Sequence, residues 1–185
     1  MARAPKKGAD EGQTVIFVDQ TGLYLLPMAV RTWSPVGVTP VLKETVTRDH
    51  LSVMAGVTPE GKLYQRSQEE AFTGAGVVRF LKHLLRQIGG KLLVLWDGAP
   101  IHKCKEVKAF LSEGGAERLH LEMFPGYSPD LNPQEGVWSY LKRVELKNVC
   151  CHDLPELRQE LHKAIQRLRH KTDILQACVR QPGFY

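Results

Sequence analysis

Residues 92–96 read Leu-Leu-Val-Leu-Trp, and Asp97 and Gly98 follow at once. A strand with one wet face alternates apolar and polar positions, whereas a strand buried on both faces reads as an unbroken apolar run. This segment is of the second kind. It requires a sheet covered by further layers on both sides, and it sets a carboxylate at the tip of the most buried strand. Residues 14–19, Thr-Val-Ile-Phe-Val-Asp, repeat the pattern: a β-branched apolar run closed by an acid, Asp19.

The rest of the chain supplies the layers. After Asp19 the chain stays extended through LYLLPMAV, with Pro27 expected at a bulge or an edge. HLSVMAGVT (50–58) reads as a strand, PEG (59–61) as a tight turn and KLYQRS as the return, so the first half is an antiparallel meander. Val77, Phe80, Leu81, Leu84, Leu85 and Ile88 then recur at helical spacing until Gly89-Gly90 stop them. A helix from about Lys103 to Glu113, a short strand LHLEMFP, a helix through VWSYLKR and a long helix with Leu154, Leu157, Leu161, Ile165 and Leu168 on one stripe complete the order. Strands that alternate with helices predict an α/β fold: a mixed five-stranded sheet, antiparallel meander plus parallel strands, flanked by helices. Trp33, Trp96 and Trp138 are expected in its core.

The 185 residues suit one domain, 14–185, behind a short flexible tail, 1–13, whose basic residues have no apolar run after them. No membrane span is expected. The four cysteines form no CxxC pair, which fits reduced thiols in the cytoplasm, and Cys150-Cys151-His152 has poor spacing for zinc. The net charge is +5, and residues 142–185 hold nine Lys/Arg against five Asp/Glu, so most of the excess lies there. Arg158, Lys163, Arg167, Arg169 and Lys171 therefore either follow phosphates or form a solvated helix face.

If the strands ending in Asp19 and Asp97 are neighbours, both carboxylates enter one crevice, as ligands do at strand ends in such sheets. Two carboxylates in one place repel, and a divalent cation relieves them. Each Asp also has a plainer reading as a turn former. The third acid, Glu135, follows a loop stiffened by Pro129 and Pro133. Asn132 suits an N-cap and Pro133 the first helical turn, so Glu135 either completes a capping box or completes a metal site.

FVDQTG, LVLWDGAPIH and FPGYSPDLNPQEGVW together resemble the three signature blocks of the DDE transposases of the mariner superfamily, most closely the bacterial insertion-sequence branch. RTWSPVG resembles that family's Trp- and Gly-containing block after the first acid, and the 38 positions from Asp97 to Glu135 lie within its range. The resemblance covers roughly residues 14–165. It implies a ribonuclease-H-like fold, a catalytic and metal-binding triad of Asp19, Asp97 and Glu135, and two Mg²⁺ or Mn²⁺ ions as cofactor. It implies DNA as partner, both transposon ends and target, with hydrolytic nicking followed by attack of the freed 3′-hydroxyl, commonly at TA dinucleotides. It also implies a homo-oligomer on DNA in a bacterial, nucleoid-associated setting.

His102 stands at the family's histidine position, where it either touches DNA or metal-bound water or merely packs. Tyr127, Ser128, Arg158, Arg167 and Lys171 are further candidates for DNA contact. Gln20 and Gly98 depart from the family, which places an acid after the first Asp and an asparagine after the second. Relatives carry an N-terminal helix-turn-helix reader, for which too few residues precede the first strand here. Such a chain is expected to be the second product of a split reading frame, a truncated remnant, or a domain whose recognition is supplied by a separate helix-turn-helix polypeptide. Two other readings stay open: a remnant that binds DNA without cutting it, and a ribonuclease-H-like nuclease that only hydrolyses.

Overall fold

The computed structural model describes residues 12–26, 28–42, 48–126 and 129–183. Pro27, Tyr127, Ser128 and most of the N-terminal tail lie outside them, so the expectations for those residues are not addressed. Five strands form one sheet: β1 (Thr14–Tyr24), β2 (His50–Val57), β3 (Leu63–Gln68), β4 (Leu92–Trp96) and β5 (Leu119–Met123), in the order β3-β2-β1-β4-β5. β1, β2 and β3 pair antiparallel; β4 joins β1 in parallel and β5 joins β4 in parallel. This is the expected mixed sheet.

The unbroken apolar runs explain the layering. Val15 and Phe17 of β1, with Leu93 and Leu95 of β4, face α3 (Pro133–Tyr140), α4 (Leu154–Arg169) and α5 (Thr172–Arg180). Ile16 and Val18, with Leu92, Val94 and Trp96, face α1 (Gly74–Gln87) and α2 (Lys105–Ser112). β1 and β4 are thus central strands, wet on neither face. α1 starts at Thr73, whose hydroxyl accepts Gly76 N–H at 3.3 Å, and buries Val77, Phe80, Leu81 and Leu84. α4 is capped by Asp153, which accepts Glu156 N–H at 2.8 Å, while Glu156 accepts His152 N–H at 2.7 Å. Its buried stripe is the expected one, with Leu154 half-buried at the end. Among the described residues no helix is long and apolar enough to cross a membrane.

Three features differ from the sequence reading. β1 does not end at Asp19; it runs to Tyr24 because β2 continues to pair with it as far as His50. The helix through VWSYLKR is not uniform: residues Leu141–Glu145 form a π turn, with Leu146 N–H bonded to Leu141 O at 2.9 Å. Glu145 explains that turn. Its carboxylate, only 3% exposed, is drawn inward between Arg167 Nε at 2.7 Å and Lys171 Nζ at 2.6 Å. Finally, Trp96 and Trp138 are core residues but Trp33 is 99% exposed. It lies on a connection whose base is tied by Asn148, which hydrogen-bonds both the N–H and the carbonyl of Val30. Beyond that clamp Trp33, Val36, Val38 and Val41 have no layer to pack against.

Candidate active site

The β1–β4 ladder places the first two acids. Its last pair is Phe17–Leu95, so two residues further on Asp19 and Asp97 stand side by side where the parallel strands part. Asp19 lies within a strand, so its turn-former reading does not hold. Asp97 has both characters: its Oδ1 accepts Ala99 N–H at 3.1 Å, as in a turn, yet the side chain is 53% exposed at the sheet end.

α3 brings the third acid over the sheet. Asn132 caps it by accepting Gln134 N–H at 3.1 Å, and Pro133 occupies the first turn. That bond runs to Gln134, so the cap leaves Glu135 exposed. One turn on, Trp138 is buried against the sheet and donates its indole N–H to Asp19 Oδ2 at 2.9 Å. The same helix therefore carries one acid and grips another.

Burial pushes the Asp19 carboxyl up to about 6; bonds from the Gln20 backbone and Trp138 oppose this, and the charges of Glu135 and Asp97 add to it. Asp19 thus feels both other acids. Among the described residues, however, no group of three His, Cys, Asp or Glu side chains is drawn close enough to hold a metal ion. The donor set still fits a hard divalent cation, which takes carboxylate oxygens and water.

Lys142 is a site residue that the sequence reading missed. It follows Glu135 by two helical turns and enters the π segment; its Nζ donates to Thr21 Oγ1 at 2.7 Å. Burial lowers its pKa, while Glu135 and Asp19 raise it, so the ammonium lies near both acids. The i, i+7 spacing from Glu135 was the available signal.

His102 lies beneath Asp97, with a side chain only 2% exposed. Its ring stacks on Trp96 at 4.1 Å with 2° between the planes. Its Nδ1 is 2.8 Å from Asp97 Oδ1, and its Nε2 is 3.2 Å from Gln20 Nε2. Burial lowers its pKa, opposed by Asp97. A direct contact with DNA would first require uncovering this ring.

The other basic candidates sit elsewhere. Arg158 pairs with Glu69 at 2.8 Å, and Arg167 and Lys171 pair with Glu145. Each of these side chains remains 39–49% exposed. Cys150, Cys151 and His152 form no metal cluster among the described residues. An open groove of about 810 Å³ passes Glu135, Ser139 and Arg143 on the outer side of α3.

Solved structures share this architecture. The Mos1 strand transfer complex aligns over 98% of this chain and 58% of its own, with a TM-score of 0.64 and 16% identity. The Mos1 mariner paired-end complex with Mn aligns over 100% and 61%, with a TM-score of 0.64 and 15% identity. The catalytic domain of Mos1 mariner transposase aligns over 97% and 88%, with a TM-score of 0.57 and 14% identity. At such identities the likeness carries the fold, which is ribonuclease-H-like. The chain spans 58% of the Mos1 chain in the first of these. No curated protein matches its sequence. A sequence profile does match, over residues 14–158, which include Asp19, Asp97 and Glu135; the chain belongs to the DDE superfamily endonucleases.

Proposed function

We propose that the chain is the catalytic domain of a transposase, a metal-dependent DNA endonuclease and strand transferase acting at transposon ends. The observation that carries this reading is the meeting of Asp19 and Asp97 on adjacent parallel strands beneath the helix that bears Glu135, with Asp19 raised chiefly by burial and further by both other charges. Two Mg²⁺ or Mn²⁺ ions held by these carboxylates would supply an activated water or 3′-hydroxyl and neutralise charge on the phosphate. Asp19, gripped by Trp138, would be the fixed ligand. Asp97 would offer its exposed carboxylate at the strand tip, and Glu135 would complete the set from the first turn of α3. Lys142 lies where it can steady a phosphate beside the acids. The similar Mos1 structures include a paired-end complex with Mn, which favours both metal use and assembly on DNA.

Assembly as a homo-oligomer on DNA fits the exposed apolar arm, since a row such as Trp33, Val36, Val38 and Val41 marks an interaction surface. Recognition of the terminal repeats would come from a helix-turn-helix region. Tyr127, Ser128, Arg158, Arg167 and Lys171 remain candidates for DNA contact, with the substrate DNA in the cytoplasm.

A nicking and strand-transfer assay on the element's own terminal DNA, with Mg²⁺ or Mn²⁺, tests the proposal against a Glu135→Gln variant. Cutting and joining that the variant loses are expected. Cutting without joining would make the chain a hydrolytic nuclease, and DNA binding with neither would make it a remnant.

A further inference from the structure

The residue after Asp19 is Gln20, and across the strand gap it meets His102. His102 Nδ1 faces two oxygens of Asp97, the carboxylate Oδ1 at 2.8 Å and the backbone carbonyl at 3.1 Å. Neither oxygen can donate, so Nδ1 carries the hydrogen. Nε2 faces the amide nitrogen of Gln20 at 3.2 Å; that nitrogen donates, so Nε2 accepts. With the Gln20 amide in this orientation the donor and acceptor pattern is that of a neutral imidazole carrying its hydrogen on Nδ1, and the coplanar Trp96 stacks on the ring.

Asp97 Oδ1 receives a second hydrogen from Ala99 N–H at 3.1 Å. Among the described residues no hydrogen bond reaches Oδ2. The carboxylate plane is thus set by two donors on one oxygen, and the other oxygen is left toward solvent.

We infer that Gln20 and His102 form a neutral strut between the two acid-bearing strands, which holds Asp97 in one rotamer and presents Oδ2 alone to a metal ion. The inference rests on the reading of Asp97 as a metal-holding acid. His102 is then a positioning residue, and Gln20 is its anchor. An acid at position 20 would offer only acceptors to Nε2 and would require an imidazolium; the amide supports the same ring without adding a fourth negative charge beside Asp19, Asp97 and Glu135. A hydrogen-bond partner behind a metal-holding carboxylate sets its orientation, and removal of such a partner costs about 10- to 100-fold in metal affinity.

Two substitutions separate positioning from packing, because both remove the stack on Trp96. His102→Asn keeps an amide donor near the place of Nδ1. His102→Gln moves its amide toward the place of Nε2 and leaves Asp97 Oδ1 with Ala99 alone. Mn²⁺ titration by calorimetry, on variants shown by circular dichroism to be folded, should find His102→Gln weakened by about 10- to 100-fold and His102→Asn near the parent. Nicking should follow the same order. Long-range ¹H–¹⁵N spectra of the unsubstituted, metal-free chain should show His102 protonated at Nδ1 only, and Gln20→Leu should mix the tautomers. Equal Mn²⁺ affinity in the two His102 variants, or an Nε2–H tautomer in the parent, overturns the strut. A parent chain with the Nδ1–H tautomer that neither binds Mn²⁺ nor nicks DNA upholds the hydrogen-bonded pair and overturns the proposed function instead.

Discussion

Trp138 donates its indole N–H to Asp19 Oδ2 at 2.9 Å, across 119 positions of chain. Glu135 lies one helical turn before Trp138, so this bond also sets how α3 sits over β1. Trp138→Phe keeps the aromatic bulk and deletes the donor. Removing a hydrogen bond to a charged group costs about 1.5–3 kcal/mol, part of it in folding stability. The bond holds the Asp19 carboxyl down, so the variant should titrate higher and its nicking profile should move to higher pH. A profile superimposable on the parent's would show that the indole has no influence on the acid.

The Asp19 carboxyl gives a pH-dependent stability with a definite sign. Its folded-state pKa is about 6 against an ordinary value of 3.8, with burial the main cause. Between those values the folded chain holds more protons than the unfolded one, so stability falls as pH rises through that window. Asp19→Asn removes the effect, and its neutral oxygen can still accept from Trp138. In the absence of metal this variant should gain on the parent by up to about 3 kcal/mol at neutral pH, with the gain fading toward about pH 4. Urea denaturation at a series of pH values checks the trend.

Lys142→Met should retain the fold and cut DNA more slowly, by about tenfold or ~1.4 kcal/mol. The ammonium is tied to Thr21 and lies near Asp19 and Glu135, so its loss removes positive charge where a phosphate would approach. Single-turnover nicking is the measurement. A parent-like rate would leave Lys142 with a structural part only.

Glu145→Gln removes the shared partner of Arg167 and Lys171. Both cations are partly exposed and can rehydrate, so the loss should be moderate, about 1–3 kcal/mol. Hydrogen exchange should rise first at residues 141–146, where the π turn depends on that buried carboxylate. Unfolding curves together with exchange at Leu146 N–H distinguish this from a uniform loosening.

Trp33→Ser should leave the unfolding free energy within about 0.5 kcal/mol, because the side chain is 99% exposed. It should weaken self-association on terminal DNA, visible by sedimentation. Unchanged association would remove this arm from the assembly surface.

The sequence by itself determined the layered sheet and the candidate acids. Unbroken apolar runs at Val15–Val18 and Leu92–Trp96 admit no wet face, and helical periodicity around Phe80 and Leu161 supplied the covers. Stiff local chemistry at Asn132-Pro133 was equally legible, because caps and prolines act within a few residues. Tertiary structure decided what depends on contacts far apart in the chain. That β1 and β4 are neighbours, which sets Asp19 beside Asp97, is a matter of strand order. That Trp138 grips Asp19 and His102 meets Gln20 follows from packing across 119 and 82 positions. That Trp33 stands in solvent while Trp96 and Trp138 are buried cannot be read from residue type, because burial belongs to the assembled layers and an aromatic ring has no preference of its own for which loop they leave uncovered.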